Sequence, residues 1–118
     1  MVISGKKCPQ QASVQEVAER TVRTLKRTVP AAVAGIAFLS GGQADEVATA
    51  HLDAMNKLGN NPWPLSYSYG RALQQPSLKA WRGQSANVAA AQAALAHRGR
   101  MNSLASLGKY SAALEAQK

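Results

Sequence analysis

The sequence predicts an α/β fold with the order helix, strand, helix, strand, helix, in which the two strands are parallel. Two observations carry this prediction. Residues 35–39 form a continuous apolar run without alternation, which is typical of a strand buried on both faces of a parallel sheet. Residues 65–69 have the pattern of a second strand, and the segment between the strands is long enough for a right-handed helical crossover.

The N-terminal part of the chain predicts a loop and then a helix. Residues 1–12 are interpreted as the loop. Ser13 and Glu16 have the spacing of a capping box, and apolar residues then recur every three or four positions, so we predict a helix over 13–29. Pro30 ends this helix, because proline lacks the N–H that the next turn would need.

Two further helices complete the pattern. A helix is predicted over 44–57, because acidic residues occupy its first turn and an apolar stripe follows, formed by Val47, Ala48, Leu52 and Met55. A long alanine-rich helix is predicted over 85–107, and residues 108–118 are interpreted as a tail. Between the second strand and this last helix, Pro76 and Gly83 indicate a broken segment without a helix of its own.

Composition excludes several classes of protein. No composition break indicates a second domain, so residues 1–118 are treated as a single segment. No apolar run approaches the length of a membrane-spanning helix, and no secretory signal is recognisable. Cys8 is the only cysteine, which excludes a disulfide framework and favours a cytoplasmic protein. We expect no metal and no cofactor, because His51 and His97 lack further ligands at metal-binding spacing.

The formal net charge of +8 leaves two interpretations open. A basic balance suits a protein whose substrates carry phosphate. It also suits a small, non-enzymatic module that binds RNA or another polyanion, with Arg20, Arg23 and Arg27 of the first helix as its contact face. Because a charged helix face is most often simply solvated, we regard nucleic acid as the less favoured partner.

Two loops follow the predicted strands, at the edge of the sheet where α/β units bind ligands. The first loop contains Ser40, Gly41 and Gly42, in which paired glycines let backbone N–H groups approach an anion and the serine hydroxyl can donate as well. The second loop, residues 68–71, ends in Arg71, whose guanidinium matches phosphate oxygens. Either loop alone is also a common way to turn a corner. Together they predict a phosphate site.

No other residues form a recognisable catalytic set. The six acidic residues are assigned to helix surfaces, caps or the tail, and no pair of carboxylates is placed for acid–base chemistry. We interpret His51 and His97 as structural, and Trp63 and Trp81 as anchors of packing.

Several segments resemble consecutive signature segments of class I fructose-bisphosphate aldolase. They are RTVPAAV at residues 27–33, GIAFLSGGQ at 35–43 and LSYSYGRA at 65–72, followed by LQQPSLKAW, NVAAAQAAL and SLGKYS. The likeness covers nearly the whole chain and keeps its spacing, and the opening MVISGKKCPQ looks most like the bacterial branch of the family.

The resemblance implies part of a (β/α)8 TIM barrel, usually tetrameric, that cleaves fructose 1,6-bisphosphate to dihydroxyacetone phosphate and glyceraldehyde 3-phosphate. The family works through a Schiff base on a lysine, without a metal. The residues that would hold a substrate phosphate are Ser40, Gly41, Gly42, Ser68, Gly70 and Arg71. Met1 resembles the methionine of the family's Lys-Pro-Asn-Met segment, so the Schiff-base lysine would precede this chain. We therefore expect a C-terminal portion that is inactive alone and needs the N-terminal part of the barrel as its partner.

Overall fold

The computed structural model describes residues 1–117. Within that range the elements are α1 (Val14–Thr28), β1 (Ile36–Phe38), α2 (Asp45–Leu58), β2 (Leu65–Tyr67), α3 (Arg71–Trp81) and α4 (Val88–Ser106). Short 3-10 turns lie at Ser85–Asn87 and Ala112–Ala116. Residues 1–12 contain no helix or strand, and the predicted tail, 108–118, is described up to residue 117.

The two strands form a parallel pair in which Ile36 is opposite Leu65 and Phe38 is opposite Tyr67, which confirms the predicted α/β class. Both strands are shorter than predicted over 35–39 and 65–69. The prediction that the first strand is buried on both faces is wrong: Phe38 is buried, but Leu39 just beyond the strand is 71% exposed. The reason is that one face of β1 has no covering element among residues 1–117.

Helix α1 begins after Ser13, whose Oγ accepts a hydrogen bond from the backbone N–H of Glu16 at 3.1 Å. The reciprocal half of the predicted capping box is replaced by an ion pair, because the Glu16 carboxylate lies 2.9 Å from Arg20. Val17 and Val22 are buried on the face that packs against α2. The helix predicted over 13–29 is thus observed one residue shorter at each end.

Helix α2 lies at the centre of the molecule and contacts α1, α3, α4 and β2. Ala48, Leu52 and Met55 are fully buried, as the predicted apolar stripe requires. Val47 is the exception, being 41% exposed on the side of α2 that faces an open cavity. The helix runs one residue later than predicted at both ends.

Helix α3 corrects the predicted order of elements, because the segment interpreted as broken is an 11-residue helix with Pro76 inside it. The missing proline N–H costs one hydrogen bond within the helix. Packing against α4 offsets this cost, and Ser77 Oγ donates to Ala91 O of α4 at 2.8 Å. The helix ends at Trp81, where Arg82 adopts a left-handed conformation (φ 55°) before Gly83 (φ 71°).

Both tryptophans were predicted to anchor packing, and the structure supports this for only one of them. Trp63 anchors packing as predicted, since it is buried and its indole N–H donates to Pro30 O at 2.8 Å. Trp81 does not, since it is 41% exposed. None of the described helices is long and apolar enough to cross a membrane.

Candidate functional site

The two loops that were predicted to act together lie side by side. Beyond the paired strands, the backbone N–H of Ser68 donates to Phe38 O at 2.8 Å, which extends the parallel ladder by one bond. The chain then leaves the sheet on both strands, through residues 40–43 after β1 and residues 68–71 after β2. We refer to these two segments as the strand-end loops.

The first strand-end loop is a glycine turn of left-handed backbone. Gly41 and Gly42 have φ values of 56° and 83°, a region that other residues rarely adopt. Ser40 is buried, and its carbonyl oxygen accepts from both the backbone N–H of Gln43 at 3.0 Å and its side-chain Nε2 at 2.8 Å. The turn is therefore held at its base by two hydrogen bonds, while both glycines are exposed.

Arg71 joins the second loop to the first. Its Nη1 lies 2.9 Å from Asp45 Oδ1, and its Nη2 donates to the backbone carbonyl of Gln43. The side chain is 39% exposed. Because these contacts use only part of the guanidinium, other N–H groups remain to bind an anion.

Both loops lead directly into helices. The residues that precede α2 and α3 are Ala44 and Gly70, and neither contributes a side-chain cap to its helix. The first backbone N–H groups of both helices thus lack side-chain acceptors, and each helix N-terminus carries partial positive charge. Ser68 and Gly70 are exposed at this same edge, so all the sequence-predicted site residues except the buried Ser40 face outwards.

Gln43 and His51 support the glycine turn, and sequence reasoning did not find this role. Gln43 Oε1 is hydrogen-bonded to His51 Nδ1, while Gln43 Nε2 donates to Ser40 O. The glutamine oxygen must then accept, so His51 Nδ1 carries a proton. Burial lowers the pKa of His51, which favours the neutral ring. The available signal was the position of His51, two turns into the helix that the loop begins.

A second polar group lies away from the glycine turn, and within it Asp53 corrects the assignment of all acidic residues to helix surfaces, caps or the tail, because Asp53 is buried. We call it the buried polar cluster; it comprises Thr49, Asp53, His97, Arg98, Asn102, Tyr110 and Glu115. Glu115 accepts from Arg98 Nη1 at 2.6 and 2.7 Å, from His97 Nε2 at 2.9 Å and from Tyr110 Oη at 2.9 Å. Asp53, only 5% exposed, accepts from the Tyr110 backbone at 2.9 Å.

Within this cluster Glu115 pairs with Arg98, whereas Asp53 pairs with Lys57 outside it. Burial alone would raise the pKa of Glu115, but hydrogen bonds from Arg98, His97 and Tyr110 outweigh burial and hold it below its ordinary range. Burial together with the bond to Glu115 raises the pKa of Tyr110, so the phenol stays protonated and donates. The cluster therefore fixes the C-terminal 3-10 turn to α4, and His97 is part of it.

A cavity away from the glycine turn lies among the helices. It has a volume of about 750 Å³ and lies between the first turn of α2, helix α3 and helix α4. Its lining includes five alanines, together with charged residues such as Asp45 and Arg98. The glycine turn, Ser68 and Arg71 do not line it, so the candidate phosphate site lies outside this cavity.

Residues 1–117 were also compared with the requirements of a metal site and of a reactive lysine or cysteine. No group of His, Cys, Asp and Glu in residues 1–117 is arranged to hold a metal ion. Every lysine in that range is exposed, and Lys57 pairs with Asp53 at 2.6 Å. Cys8 is an exposed free thiol.

Parallel strands joined by a helix, with loops and helix N-termini at their carboxyl ends, define the βαβ unit of an α/β protein, the repeat from which (β/α) barrels are built. The family model for class I fructose-bisphosphate aldolase, described as glycolytic, matches residues 1–118. The chain belongs to the class I fructose-bisphosphate aldolase family.

Individual relatives agree with the family model. The chain is 60% identical over 111 residues to a probable class 1 fructose-bisphosphate aldolase of Xanthomonas axonopodis, covering 93% of this chain and 33% of the relative. It is 56% identical over 110 residues to a fructose-bisphosphate aldolase of Dictyostelium discoideum, covering 93% and 31%. A solved structure of the Plasmodium falciparum aldolase, in complex with TRAP and a small-molecule inhibitor, superimposes with a TM-score of 0.91 at 50% identity, covering 94% of this chain and 32% of that one.

The chain thus spans about a third of the length of these relatives and corresponds to their C-terminal part. This confirms the predicted family and the predicted TIM-barrel origin of the fold. The comparisons do not support the alternative of an RNA-binding module.

Proposed function

We propose that this chain is the phosphate-binding C-terminal part of an aldolase that cleaves fructose 1,6-bisphosphate to dihydroxyacetone phosphate and glyceraldehyde 3-phosphate. Family membership supports the reaction class. One observation carries the assignment of the site: Arg71 reaches from the second strand-end loop to the first and ends beside a glycine turn.

The proposed binding follows from the donors at this edge. Backbone N–H groups at Gly41 and Gly42, the Ser40 hydroxyl and the free N–H groups of Arg71 would surround one phosphate, with Ser68 and Gly70 at its margin. The N-termini of α2 and α3 add favourable partial charge. Each hydrogen bond from the guanidinium to a phosphate oxygen is worth about 1.5–3 kcal/mol.

The proposed division of labour places the Schiff-base lysine outside these residues. Such a lysine needs a desolvated or cation-flanked setting to lose its proton. The lysines among residues 1–117 are all exposed, and Lys57 forms an ion pair with the Asp53 carboxylate. We therefore propose that this chain binds sugar phosphates and that the rest of the barrel supplies the reacting amine.

The setting of the chain follows from the same family. We propose that it works within a complete barrel, as part of a homotetramer, and in the cytoplasm. The glycolytic description of the family model supports this setting. The exposed face of β1 is the surface against which the remaining barrel would pack, because a closed barrel leaves no strand edge or face unpaired.

Phosphate binding is tested by titrating dihydroxyacetone phosphate into the 118-residue chain and following backbone N–H resonances by NMR. Arg71→Ala should weaken binding at least about tenfold, since it removes charge-assisted hydrogen bonds. Arg100→Ala, at an exposed position of α4, is the matched control and should leave binding within twofold. Equal binding by the Arg71→Ala and native chains would refute the assigned site.

Cleavage is tested separately with fructose 1,6-bisphosphate and borohydride. The chain alone should give neither product nor a trapped lysine adduct. Co-expressing it with the N-terminal part of the barrel should restore both product formation and the trapped lysine adduct. An adduct on any lysine of the isolated chain would contradict the proposed division of labour.

A further inference from the structure

A fixed carboxylate stands beside the proposed phosphate site. Asp45 lies in the first turn of α2, and its Oδ1 is 2.9 Å from Arg71 Nη1. Its side chain is 23% exposed, less than that of its partner. The other terminal nitrogen of Arg71 is bonded to the Gln43 carbonyl, so the arginine has two separate tethers, of which one is charged.

The position of Asp45 is set by the molecule's interior. Its backbone carbonyl accepts from Thr49 Oγ1 at 3.1 Å. Thr49 is fully buried, and its hydroxyl also contacts Asn102 Oδ1 at 2.7 Å and Arg98 Nη2. This turn of α2 is thereby anchored to α4, so Asp45 is held near the site and is not a freely moving surface carboxylate. The N-terminus of α2 also favours a negative charge at this point.

An anion that binds Arg71 must share it with Asp45. The repulsion from the carboxylate grows with the charge of the ligand, so a doubly charged phosphate is opposed more strongly than a singly charged one. Removing the carboxylate charge also removes one tether of Arg71. The Gln43 carbonyl still orients the guanidinium, and an exposed ion pair contributes little orientation energy. The gain in attraction therefore exceeds the loss in positioning.

We propose that Asp45 is a built-in competitor of the ligand for Arg71, which limits how tightly the site holds a phosphate dianion and favours release of a phosphorylated product. This proposal rests on the proposed function, because it requires that Arg71 binds phosphate. It assigns to Asp45 a role in tuning affinity for phosphate.

The test compares three acidic-residue variants of the full chain, titrated with methyl phosphate and with dimethyl phosphate. Asp45→Asn should bind methyl phosphate roughly three- to tenfold more tightly than the native chain, because the repulsion is lost. Asp45→Glu keeps the charge and should stay within about twofold. The singly charged dimethyl phosphate should gain less from Asp45→Asn than methyl phosphate does.

Glu46→Gln is the matched control, since it changes the net charge equally at the next residue, an exposed one. It should change affinity by less than about twofold. Unchanged or weaker binding of methyl phosphate by Asp45→Asn would overturn the proposal, as would an equal gain from Glu46→Gln.

Arg71→Ala in the same titration separates this proposal from the proposed function. If Arg71→Ala binds methyl phosphate as the native chain does, the phosphate site itself is misassigned. If Arg71→Ala loses binding while Asp45→Asn matches the native chain, only the role of Asp45 is refuted.

Discussion

The buried polar cluster and the strand-end loops both contain an arginine that meets a carboxylate, yet they differ in burial. Arg98 is 4% exposed, and its Nη1 contacts both carboxylate oxygens of Glu115. Arg71 is 39% exposed and meets Asp45 through a single contact. The same pair of charged groups thus fastens the C-terminal turn in one region and leaves donors free in the other.

This difference separates residues that hold the segment together from residues that remain open to a ligand. Helices α2 and α4 pack through fully buried side chains such as Leu52 and Met101. The strand-end loops sit beside an uncovered strand, where Leu39 is 71% exposed. Stability should therefore respond to changes in the cluster, and binding should respond to changes in the loops.

The largest expected effect on stability comes from comparing the two arginines directly. Arg98→Ala leaves Glu115 without its main partner in a poorly solvated place, so the free energy of unfolding should fall by about 3–5 kcal/mol. Arg71→Ala should cost less than about 1 kcal/mol, because its ion pair is exposed. Urea unfolding followed by circular dichroism measures both. Similar losses from both variants would break the contrast between the regions.

Lowering the pH should have an intermediate effect on folding stability, which we expect to fall in two steps. The pKa of His51 is lowered from its ordinary 6.5, so below that pH the unfolded chain takes up a proton that the folded chain does not, and stability falls. The pKa of Glu115 is lowered from 4.5, so its contribution is present above pH 4.5 and is lost as the pH falls below that value.

Urea midpoints measured from pH 8 to pH 3.5 should resolve the two steps. His51→Gln should remove the first step and leave the second, and Glu115→Gln should do the reverse. A first step that survives in His51→Gln would mean that another group titrates there.

The smallest expected effect on stability comes from a glycine inside helix α4. Gly99 lies inside α4, and an added Cβ would meet no atom within 4 Å. Gly99→Ala should stabilise the chain by about 0.5–1 kcal/mol through helix propensity. Gly108→Ala is the opposite control, because its φ of 66° is left-handed and Lys57 approaches within 3.5 Å, so it should destabilise. Calorimetric melting of both variants would decide whether α4 can be improved without altering the loops.

Local patterns predicted most of the fold. The apolar run before Ser40, the stripe of α2 and the Ser13 cap each reflect interactions between residues close in sequence. Helix α3 was missed because a proline is a strong local signal against a helix, whereas the compensation comes from contacts with α4 that no local pattern contains. The exposure of β1 was missed for a related reason: the run carries the composition of a strand in a complete barrel, although residues 1–117 cover only one of its faces.

The candidate site was predictable to the extent that it follows strand ends. Glycines, a serine and an arginine after parallel strands could be recognised from their order. Two further contacts depend on how α2 is rotated against the loops. They are the ion pair of Asp45 with Arg71 and the hydrogen bond of His51 with Gln43. Those contacts join residues 8 and 26 positions apart, and periodicity does not fix them.

The contrasting surroundings of Trp63 and Trp81 give the chain two distinct optical signals. Trp63 is buried and hydrogen-bonded to Pro30 O, so its fluorescence should be blue-shifted and shielded from iodide. Trp81 is 41% exposed and should emit at longer wavelength and be quenched readily. A Trp81→Phe chain would then carry a single fluorophore that reports whether the link after α1 stays docked beside β2. Tryptophan fluorescence of this chain could then be used to follow its assembly with the rest of a barrel.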